Sequence, residues 1–402
     1  MKKNLLSKNI QAIIATSALG LTSLSTPQIV FADEFTDALT GGKATVDIRV
    51  RYEGVDQKGT DNAAAFTERT RIGYMTGDFK GFSAFMEMSD TSSLGARDGY
   101  KVPLGPDANT GTKAIVLDPS ITVLNQAWIG YKISETQLKA GEQRIIIDNR
   151  FLGNVGWRQK EQTYTGFSLK SKDIASTLID YAYITNASNP VGVELPMKTH
   201  AFKAQYDGFS FAKLEGYAFL IDYDAGTDSS TMGARLSGGT PITEDMKIKY
   251  HLEYASQGDY ADSKNITGGE YTRAELGLAY KTGSITLGQE KLGGDGTKSF
   301  NTPLATLHLY NGWADKFLVT PATGLVDNYI DISGKAFGLK LAAIYHDFSA
   351  DKGSTKYGTE YDLLVAKKFN KIYTAGIKYA AYSADKLYTD TNKVWIWGEA
   401  KF

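Results

Sequence analysis

The chain has 402 residues, no cysteine, and 44 basic against 45 acidic side chains. The lack of cysteine excludes a disulfide scaffold and Cys-based metal sites, and the balanced charge lacks the basic excess of a nucleic-acid-binding protein. The 24 tyrosines, 18 phenylalanines and 41 glycines favour β structure, because aromatic side chains fit pleated sheets and glycine fits tight turns.

The first 32 residues have the pattern of a secretory signal peptide. Three lysines precede an alanine-rich apolar run over 10–24, and the small-residue rule is met at Val30 and Ala32, so we expect cleavage after Ala32. An N-terminal membrane anchor is the alternative, but the run is shorter than the roughly 20 residues of a spanning helix. Cleavage removes three of the 44 basic residues and none of the 45 acids, which leaves a net charge of −4.

From residue 43 onward, apolar and polar residues alternate along the chain. In segment 43–53, Val46, Ile48 and Val50 share one face, whereas Arg49 and Arg51 share the other. A period of two predicts a β-strand. The same pattern recurs in segments 81–89, 246–255, 270–280 and 371–382. Each is long enough to cross a bilayer as a tilted strand of about 9 to 11 residues.

The connections between these segments also alternate in length. Short turns such as 78–81 and 369–371 are interleaved with long polar stretches, of which 90–120 and 293–320 are the longest. Outer-membrane barrels have this asymmetry, with short periplasmic turns and long outer loops. Eighteen strands are predicted to begin near residues 43, 66, 81, 121, 137, 159, 176, 198, 209, 229, 246, 269, 284, 323, 336, 357, 371 and 392.

We therefore expect an all-β protein: a periplasmic N-terminal segment at 33–42, and a transmembrane antiparallel β-barrel over 43–402. A count of sixteen strands stays open, because the pattern in 176–240 is ambiguous. The inward faces carry more charges than a packed core accepts, and a barrel of about 16 to 18 strands encloses water. A soluble β-sandwich with one wet face is the alternative, but it leaves the Tyr, Phe and Leu of the opposite faces unexplained.

The last strand ends on Phe402, which shares a face with Val394 and Ile396. A terminal Phe in a lipid-facing register is similar to the signal that bacterial barrel-assembly machinery recognises. With the signal peptide and the alternation, it indicates the outer membrane of a Gram-negative bacterium.

Residue patterns for catalysis are missing from the sequence. Neither HExxH, GxSxG nor GxxxxGK[ST] occurs, and the four histidines lie far apart, at His200, His251, His308 and His346. We expect no enzyme activity and no cofactor; a barrel hydrolase built on loop carboxylates and one histidine is the alternative. The loop acids Asp222 and Asp224 are candidates for Ca²⁺ binding, although solvated loop charges are the commoner explanation.

The arginines of the first two strands are the most informative cluster. A hairpin centred near Gly59 predicts two cross-strand pairs, Arg49 with Arg69 and Asp47 with Arg71, and the next turn brings Glu87 beside Arg71. Like charges across a ladder repel, so acids, water or a passing anion must offset them. A salt-bridged lattice in the wall and a solute-contacting role both fit.

The loop segment 148–159 is expected to fold against or into the lumen. Its Phe151, Val155 and Trp157 would be poorly hydrated in an open loop. Its Arg150 and Arg158 are expected to reach acidic groups of the lumen.

From Arg49 onward the chain resembles the alginate-export-like family of outer-membrane porins. The resemblance lies in 49–57, 68–95, 125–132, 138–169 and the closing aromatic strand. It implies an 18-stranded barrel with an arginine-rich pore. It also implies a set of channel or loop-constriction residues: Arg49, Arg51, Arg69, Arg71, Arg144, Asp148, Asn149, Arg150, Trp157, Arg158 and Gln159.

We expect a porin for passive diffusion of small polar or anionic solutes, with alginate-type export of an anionic polysaccharide as the alternative. The predicted pore-lining residues are Asp47, Arg49, Arg51, Arg69, Arg71, Glu87, Arg144, Arg150, Arg158, Lys249 and Arg273. The expected partners are the solutes, outer-membrane lipid and lipopolysaccharide, and the barrel-assembly machinery through Phe402, with no nucleic acid.

Overall fold

The computed structural model describes residues 27–96, 98–264 and 267–402. The described residues form an N-terminal helix, α1 (Pro27–Thr40), and an 18-stranded antiparallel sheet. The strands are β1 (Lys43–Gln57), β2 (Ala63–Met75), β3 (Phe82–Ser93), β4 (Ile121–Ile133), β5 (Thr136–Gln143), β6 (Thr163–Ser171), β7 (Thr177–Ser188), β8 (Glu194–Tyr206), β9 (Ala212–Ile221), β10 (Ser229–Pro241), β11 (Met246–Gly258), β12 (Gly269–Tyr280), β13 (Gly283–Leu292), β14 (Leu325–Ala336), β15 (Leu339–Ser349), β16 (Lys356–Lys368), β17 (Tyr373–Ala384) and β18 (Thr391–Lys401).

The sheet closes on itself and forms a barrel. Each strand pairs with its neighbours along the chain, and β1 pairs with β18, so no edge strand stays open. The predicted count of eighteen is confirmed, and the ambiguous region 176–240 contains β7 to β10. No helix in the described part of the chain is long and apolar enough to cross a membrane.

The helix α1 docks at the end of the barrel where β1 begins and β18 ends. The Gly77 amide donates to Ala38 O (2.8 Å), and the Tyr74 hydroxyl donates to Leu39 O (2.6 Å). Most of the predicted signal peptide lies outside the described residues. Cleavage after Ala32, a site that α1 spans, stays a prediction.

The two faces of the barrel wall differ as the alternation predicts. Large apolar side chains such as Ile72, Leu276 and Leu287 are more than half exposed on the outer face. Charged side chains such as Arg69 and Glu253 are buried on the inner face. An apolar exterior with a charged interior is the reverse of a water-soluble barrel and suits a lipid environment.

The connections are short at one end of the barrel and long at the other. The turns at 134–135, 281–282 and 337–338 have two residues each. In the last of these, Phe337 and Gly338 both have positive φ (55° and 72°), as a type I′ hairpin turn requires. We number the loops at the opposite end L1 to L9 in chain order; the three long ones are L2 (94–120), L3 (144–162) and L7 (293–324).

Two apolar clusters fill the half of the barrel nearest the long loops. In the larger cluster, Phe151 of L3 and Phe300 of L7 pack against wall side chains. In the smaller one, Val102 and Val116 of L2 pack against Val55 of β1 and Ala65 of β2. The long loops therefore fold inward and form the core that a barrel wall of this size lacks.

A new charge should lower the free energy of unfolding much more at one residue of β13 than at the residue next to it. Leu287 faces outward, whereas Thr286 lines an inner cavity beside Lys249 and Glu275. We expect Leu287→Arg to lower the free energy of unfolding in lipid vesicles by about 2 to 4 kcal/mol, and Thr286→Arg to change it by less than about 1 kcal/mol. Equal losses for the two variants, measured by denaturant titration, would contradict the assignment of the faces.

Candidate functional site

Loop L3 lies inside the barrel, as its apolar residues predict. The ring of Phe151 is 4.9 Å from Tyr217 and 5.2 Å from Phe219, both on the inner wall. Trp157 stacks on His308 of L7, with the ring centroids 3.4 Å apart. These contacts fix both ends of the segment 148–159 within the lumen.

The predicted register of the arginine cluster is confirmed. Arg49 lies opposite Arg69, and Asp47 lies opposite Arg71. All three arginines are buried, with exposed fractions from 1% for Arg69 to 8% for Arg49. Like charges at this depth need close partners of opposite charge or strong acceptors.

Carboxylates from the wall and from L3 supply that compensation. Arg69 pairs with Asp47 (2.6 Å) and Glu399 (3.4 Å), and Arg71 pairs with Glu161 of L3 (3.2 Å). Asp47 and Glu399 belong to the strands on either side of the seam that closes the barrel. The arginines therefore join the seam, the second strand and L3 into one network.

Arg49 and Arg51 bind the main chain of L3. Arg49 donates to the side chain of Gln159 (2.9 Å) and to the carbonyl of Gly156 (3.3 Å), and Arg51 donates to the carbonyl of Trp157. Hydrogen bonds from a charged donor are stronger than neutral ones. The two guanidinium groups thus clamp the inward loop to the first strand.

Glu87 lies opposite Gly73 of β2, so it is the diagonal neighbour of Arg71 on the inner face, where the turn predicts it. A β-bulge between Glu87 and Met88 shifts the register of β3 against β4. The Glu87 carboxylate accepts a hydrogen bond from Asn125 (2.6 Å) and lies 3.9 Å from Arg144. Arg71 takes its acid from L3 instead. Glu87 therefore lies beside Arg71 in the register, whereas the ion pair of Arg71 is formed with Glu161.

Arg158 is the point where the wall and the three long loops meet. Its guanidinium lies 2.7 Å from Glu53 of β1, 3.9 Å from Asp118 of L2 and 3.4 Å from Asp315 of L7. Burial raises the pKa of the Asp118 carboxyl, but the charges of Arg51 and Arg158 hold it below its usual range. Asp118 therefore stays ionised in the interior.

Arg150 makes the equivalent contact on the far wall. It is 1% exposed, pairs with Glu290 of β13 (2.9 Å) and donates to Asn311 of L7 (3.1 Å). Both Arg150 and Arg158 thus reach acids inside the barrel, as their positions in the loop segment predict.

Glu161 is a central residue that the sequence reasoning missed. Its carboxylate accepts hydrogen bonds from Arg144, Asn125 (2.7 Å) and Asn154 (2.6 Å), in addition to its ion pair with Arg71. Burial raises the pKa of Glu161, but these hydrogen bonds and positive charges outweigh it and lower the pKa to about 2. An acid three residues beyond the predicted inward Arg158 was the only signal in the sequence.

The predicted site residues divide by their contact with water. Those that keep exposed surface are Asp47 (21% of the side chain), Arg144 (35%), Arg273 (21%) and Lys249. Arg49, Arg51, Arg69, Arg71, Glu87, Arg150 and Arg158 are buried under the loops. Burial therefore separates a loop-holding set from a water-facing set.

Lys249 and Arg144 of the water-facing set line cavities in the half of the lumen nearest the short turns. A cavity of about 530 Å³ there is lined by Lys213, Lys247, Lys249, His251 and Glu275, among others. A second cavity, of about 230 Å³, is lined by Lys139, Arg144, Lys170 and Asp180, among others. Basic groups outnumber acids in the lining of both cavities, which makes the local electrostatic potential there positive.

The described residues contain no group of three or more His, Asp or Glu side chains placed to bind a metal ion. Asp224, one of the two candidate Ca²⁺ ligands, lies 3.7 Å from Lys198. Binding of Ca²⁺ by the loop acids Asp222 and Asp224 therefore stays a prediction.

No protein-family description matches the chain, and no curated protein matches it. Solved structures do. Acinetobacter baumannii OccAB2 has a TM-score of 0.71 at 17% identity, covering 91% of this chain and 99% of its own. Pseudomonas aeruginosa OccK9 (OpdG) has a TM-score of 0.71 at 13% identity, covering 91% and 100%.

A third similar structure is P. aeruginosa OpdK with vanillate, with a TM-score of 0.70 at 13% identity, covering 90% of this chain and 99% of that one. At these identities the likeness concerns the fold. The chain shares the 18-stranded barrel fold of these proteins. The resemblance to the alginate-export-like family finds no support among these structures.

The ionised state of Glu161 should make the fit of L3 depend on pH. The pKa of about 2 lies below the ordinary value of 4.5, so the stabilisation is complete above 4.5 and is lost as pH falls toward 2. We expect Glu161→Gln to lower the free energy of unfolding by about 3 kcal/mol at pH 7 and by much less near pH 2. Denaturant titration in vesicles measures both. A deficit that does not change with pH would contradict the ion-pair account, and Glu135→Gln in a short turn is the control.

Proposed function

We propose that the chain is a passive porin in the outer membrane of a Gram-negative bacterium, and that it admits small polar and anionic solutes. The observation that carries the proposal is the closed barrel of 18 strands with an apolar exterior and water-facing basic groups inside. Barrels of this size enclose water unless something fills them. In this chain the long loops fill one half and leave the other half open.

The proposed solute contacts are the predicted residues that keep water-exposed surface. Asp47, Arg144, Lys249 and Arg273 belong to this set. The buried arginines line the wall and shape the passage by fixing L3. Charges that line a narrow aqueous channel bias which ions enter it, so the basic excess favours anions.

The size of the solute follows from the inward loops. L2, L3 and L7 pack against one another and against the wall, and they narrow the lumen. An alginate-type polysaccharide needs a continuous, wide path, and the arginines that would serve it are engaged with acids and main-chain carbonyls. Vanillate, the molecule with which OpdK was solved, is a small aromatic carboxylate. Small organic anions therefore fit the proposal better than a polymer.

An enzymatic role finds less support in the histidines. His308 and His346 have acidic partners, Asp315 (2.7 Å) and Asp327 (2.9 Å), but both imidazoles are buried, whereas a hydrolase needs a histidine that a substrate can reach. His251 does line the open cavity, but the carboxylate beside it, Glu253 (3.0 Å), is also paired with Arg235 (2.7 Å).

The proposed partners at the barrel surface are lipid, lipopolysaccharide and the assembly machinery. Phe402 is 60% exposed, and its amide donates to Val46 O (2.8 Å) in the first strand. The terminal aromatic side chain is thus held outward at the seam, where the assembly machinery can bind it.

Ion selectivity tests the proposed solute contacts. Replacing four water-facing basic residues by Gln should shift the reversal potential toward cations in a salt gradient; these are Arg144, Lys170, Lys213 and Lys249. The matched control replaces four exposed lysines of the outer turns and outward faces, which are Lys58, Lys198, Lys264 and Lys356. The control removes the same total charge and should leave the selectivity unchanged. A shift of equal size in both variants would refute the assigned path, and a folded barrel without conductance would refute the porin.

A further inference from the structure

A pair of buried acids binds residues 312–314 of L7, which we call the tip of the loop. Glu360 and Asp362 of β16 have exposed fractions of 0%. Glu360 accepts the amide N–H of Ala314 (2.6 Å), and Asp362 accepts that of Trp313 (3.0 Å). Two successive main-chain amides of the loop therefore donate hydrogen bonds to two carboxylates of the wall.

The chain passes unusually close to these carboxylates. Gly312 has a φ of 85°, and a Cβ placed there would lie 2.5 Å from the Glu360 carboxylate. Only glycine fits both the backbone angle and the space. The backbone of the tip is thus suited to close contact with the two carboxylates.

Each acid keeps one oxygen without a donor. Glu360 Oε2 and Asp362 Oδ1 are buried and lack a hydrogen-bond partner in the described part of the protein. Residues two apart on a strand share a face, and the two carboxylates lie side by side because they accept the successive amides of Trp313 and Ala314. Two ionised carboxylates at this separation repel strongly, whereas one shared proton turns the contact into a hydrogen bond.

Other charged groups surround the pair from every side. His346 of β15 is the nearest, with Nε2 3.7 Å from Asp362 Oδ2 and Nδ1 2.9 Å from Asp327. The remaining titratable neighbours on the adjoining strands and the loop are Glu290, Asp327, Lys378, His308, Asp315 and Lys316. None of these groups donates to the two free oxygens, so the proton is the missing partner.

We propose that Glu360 and Asp362 share one proton, and that this proton fastens the tip of L7 to the wall. Loss of the proton at alkaline pH leaves two adjacent anions under the loop. The docked tip binds one proton more than the released tip, so rising pH favours release. L7 is then a pH-dependent gate that opens on the alkaline side.

Lys316 of L7 titrates near this range and needs a separate control. Burial and the nearby Lys393 lower the pKa of Lys316 to about 8. Lys316→Gln should leave the alkaline response in place, because Lys316 donates to Gln57 (3.0 Å) and not to the acid pair. Asp315 keeps its ion pairs with Arg158 and Lys393 at alkaline pH, so it holds the base of the tip in both states.

The first test is the conductance of the purified barrel in planar bilayers between pH 7 and pH 10. The parent should show a reversible rise toward pH 10, with an open-tip population that grows at most about tenfold per pH unit. Glu360→Gln should abolish the rise, because its amide donates permanently to Asp362. Asp362→Asn serves the same purpose if the first variant does not fold.

The second test follows the tip without measuring conduction. The chain has no cysteine, and Ala314 is 2% exposed, so Ala314→Cys reports release through its reaction with a water-soluble maleimide. The rate in this variant is divided by the rate in Ala314→Cys/Glu360→Gln at the same pH, which cancels thiol ionisation. The ratio should rise about tenfold per pH unit on the alkaline side.

The outcomes separate the gate from the channel. A labelling ratio that stays constant to pH 10, or an equal conductance rise in the parent and in Glu360→Gln, would overturn the shared proton. Exposed Glu270→Gln is the matched control and should behave like the parent. A rising labelling ratio in a barrel that conducts no ions would keep the gate and reject the porin.

Discussion

Guanidinium groups buried inside the barrel are the constraint on which the rest of the structure depends. The alternation that turns apolar residues toward lipid turns Arg49, Arg51, Arg69 and Arg71 toward the lumen. A charge taken out of water costs several kcal/mol unless a partner replaces the lost hydration. The wall alone provides too few acids near these arginines, so the long loops must fold inward and supply acids and carbonyls.

This requirement links the seam, the loops and the passage. Each long loop contributes an acid that forms an ion pair with an arginine: Glu161 of L3, Asp118 of L2 and Asp315 of L7. Removing one partner leaves the other charge buried and unpaired, which costs more than the pair contributes. The loops are consequently fixed parts of the barrel, and the open space lies between them and the short turns. Selectivity and loop fixation fall to different basic residues except at Arg144, which keeps water-exposed surface and also donates to Glu161.

The fold was predictable because its signal is local. A period of two, repeated at regular spacing, determines strands, faces and even the pairing of Arg49 with Arg69. The alternation of short and long connections also indicated that all the long loops lie at one end of the barrel. The predicted count holds in the ambiguous region because its turns, such as 207–211, are short.

The site was predictable only in part, because its partners are distant in sequence and have no period. Arg158 contacts Asp315, which lies 157 residues further along the chain. The sequence around either residue does not indicate this contact. L7 was expected as an outer loop, since its Phe300 and Phe317 are scattered through polar residues. Glu87 accepts a hydrogen bond from Asn125 across the bulged β3–β4 ladder, and the alternation of β3 alone does not indicate that bulge.

Deleting residues 150–157 of L3 tests most directly whether arginine-held loops set the passage. The account predicts a barrel that keeps its heat-modifiable gel mobility and has a higher single-channel conductance than the parent. Deletion of 223–227 in the short loop L5 controls for the loss of chain and should leave the conductance unchanged. A folded L3 deletion with the conductance of its parent would contradict the account, because the solute path would then avoid the loop that the arginines hold.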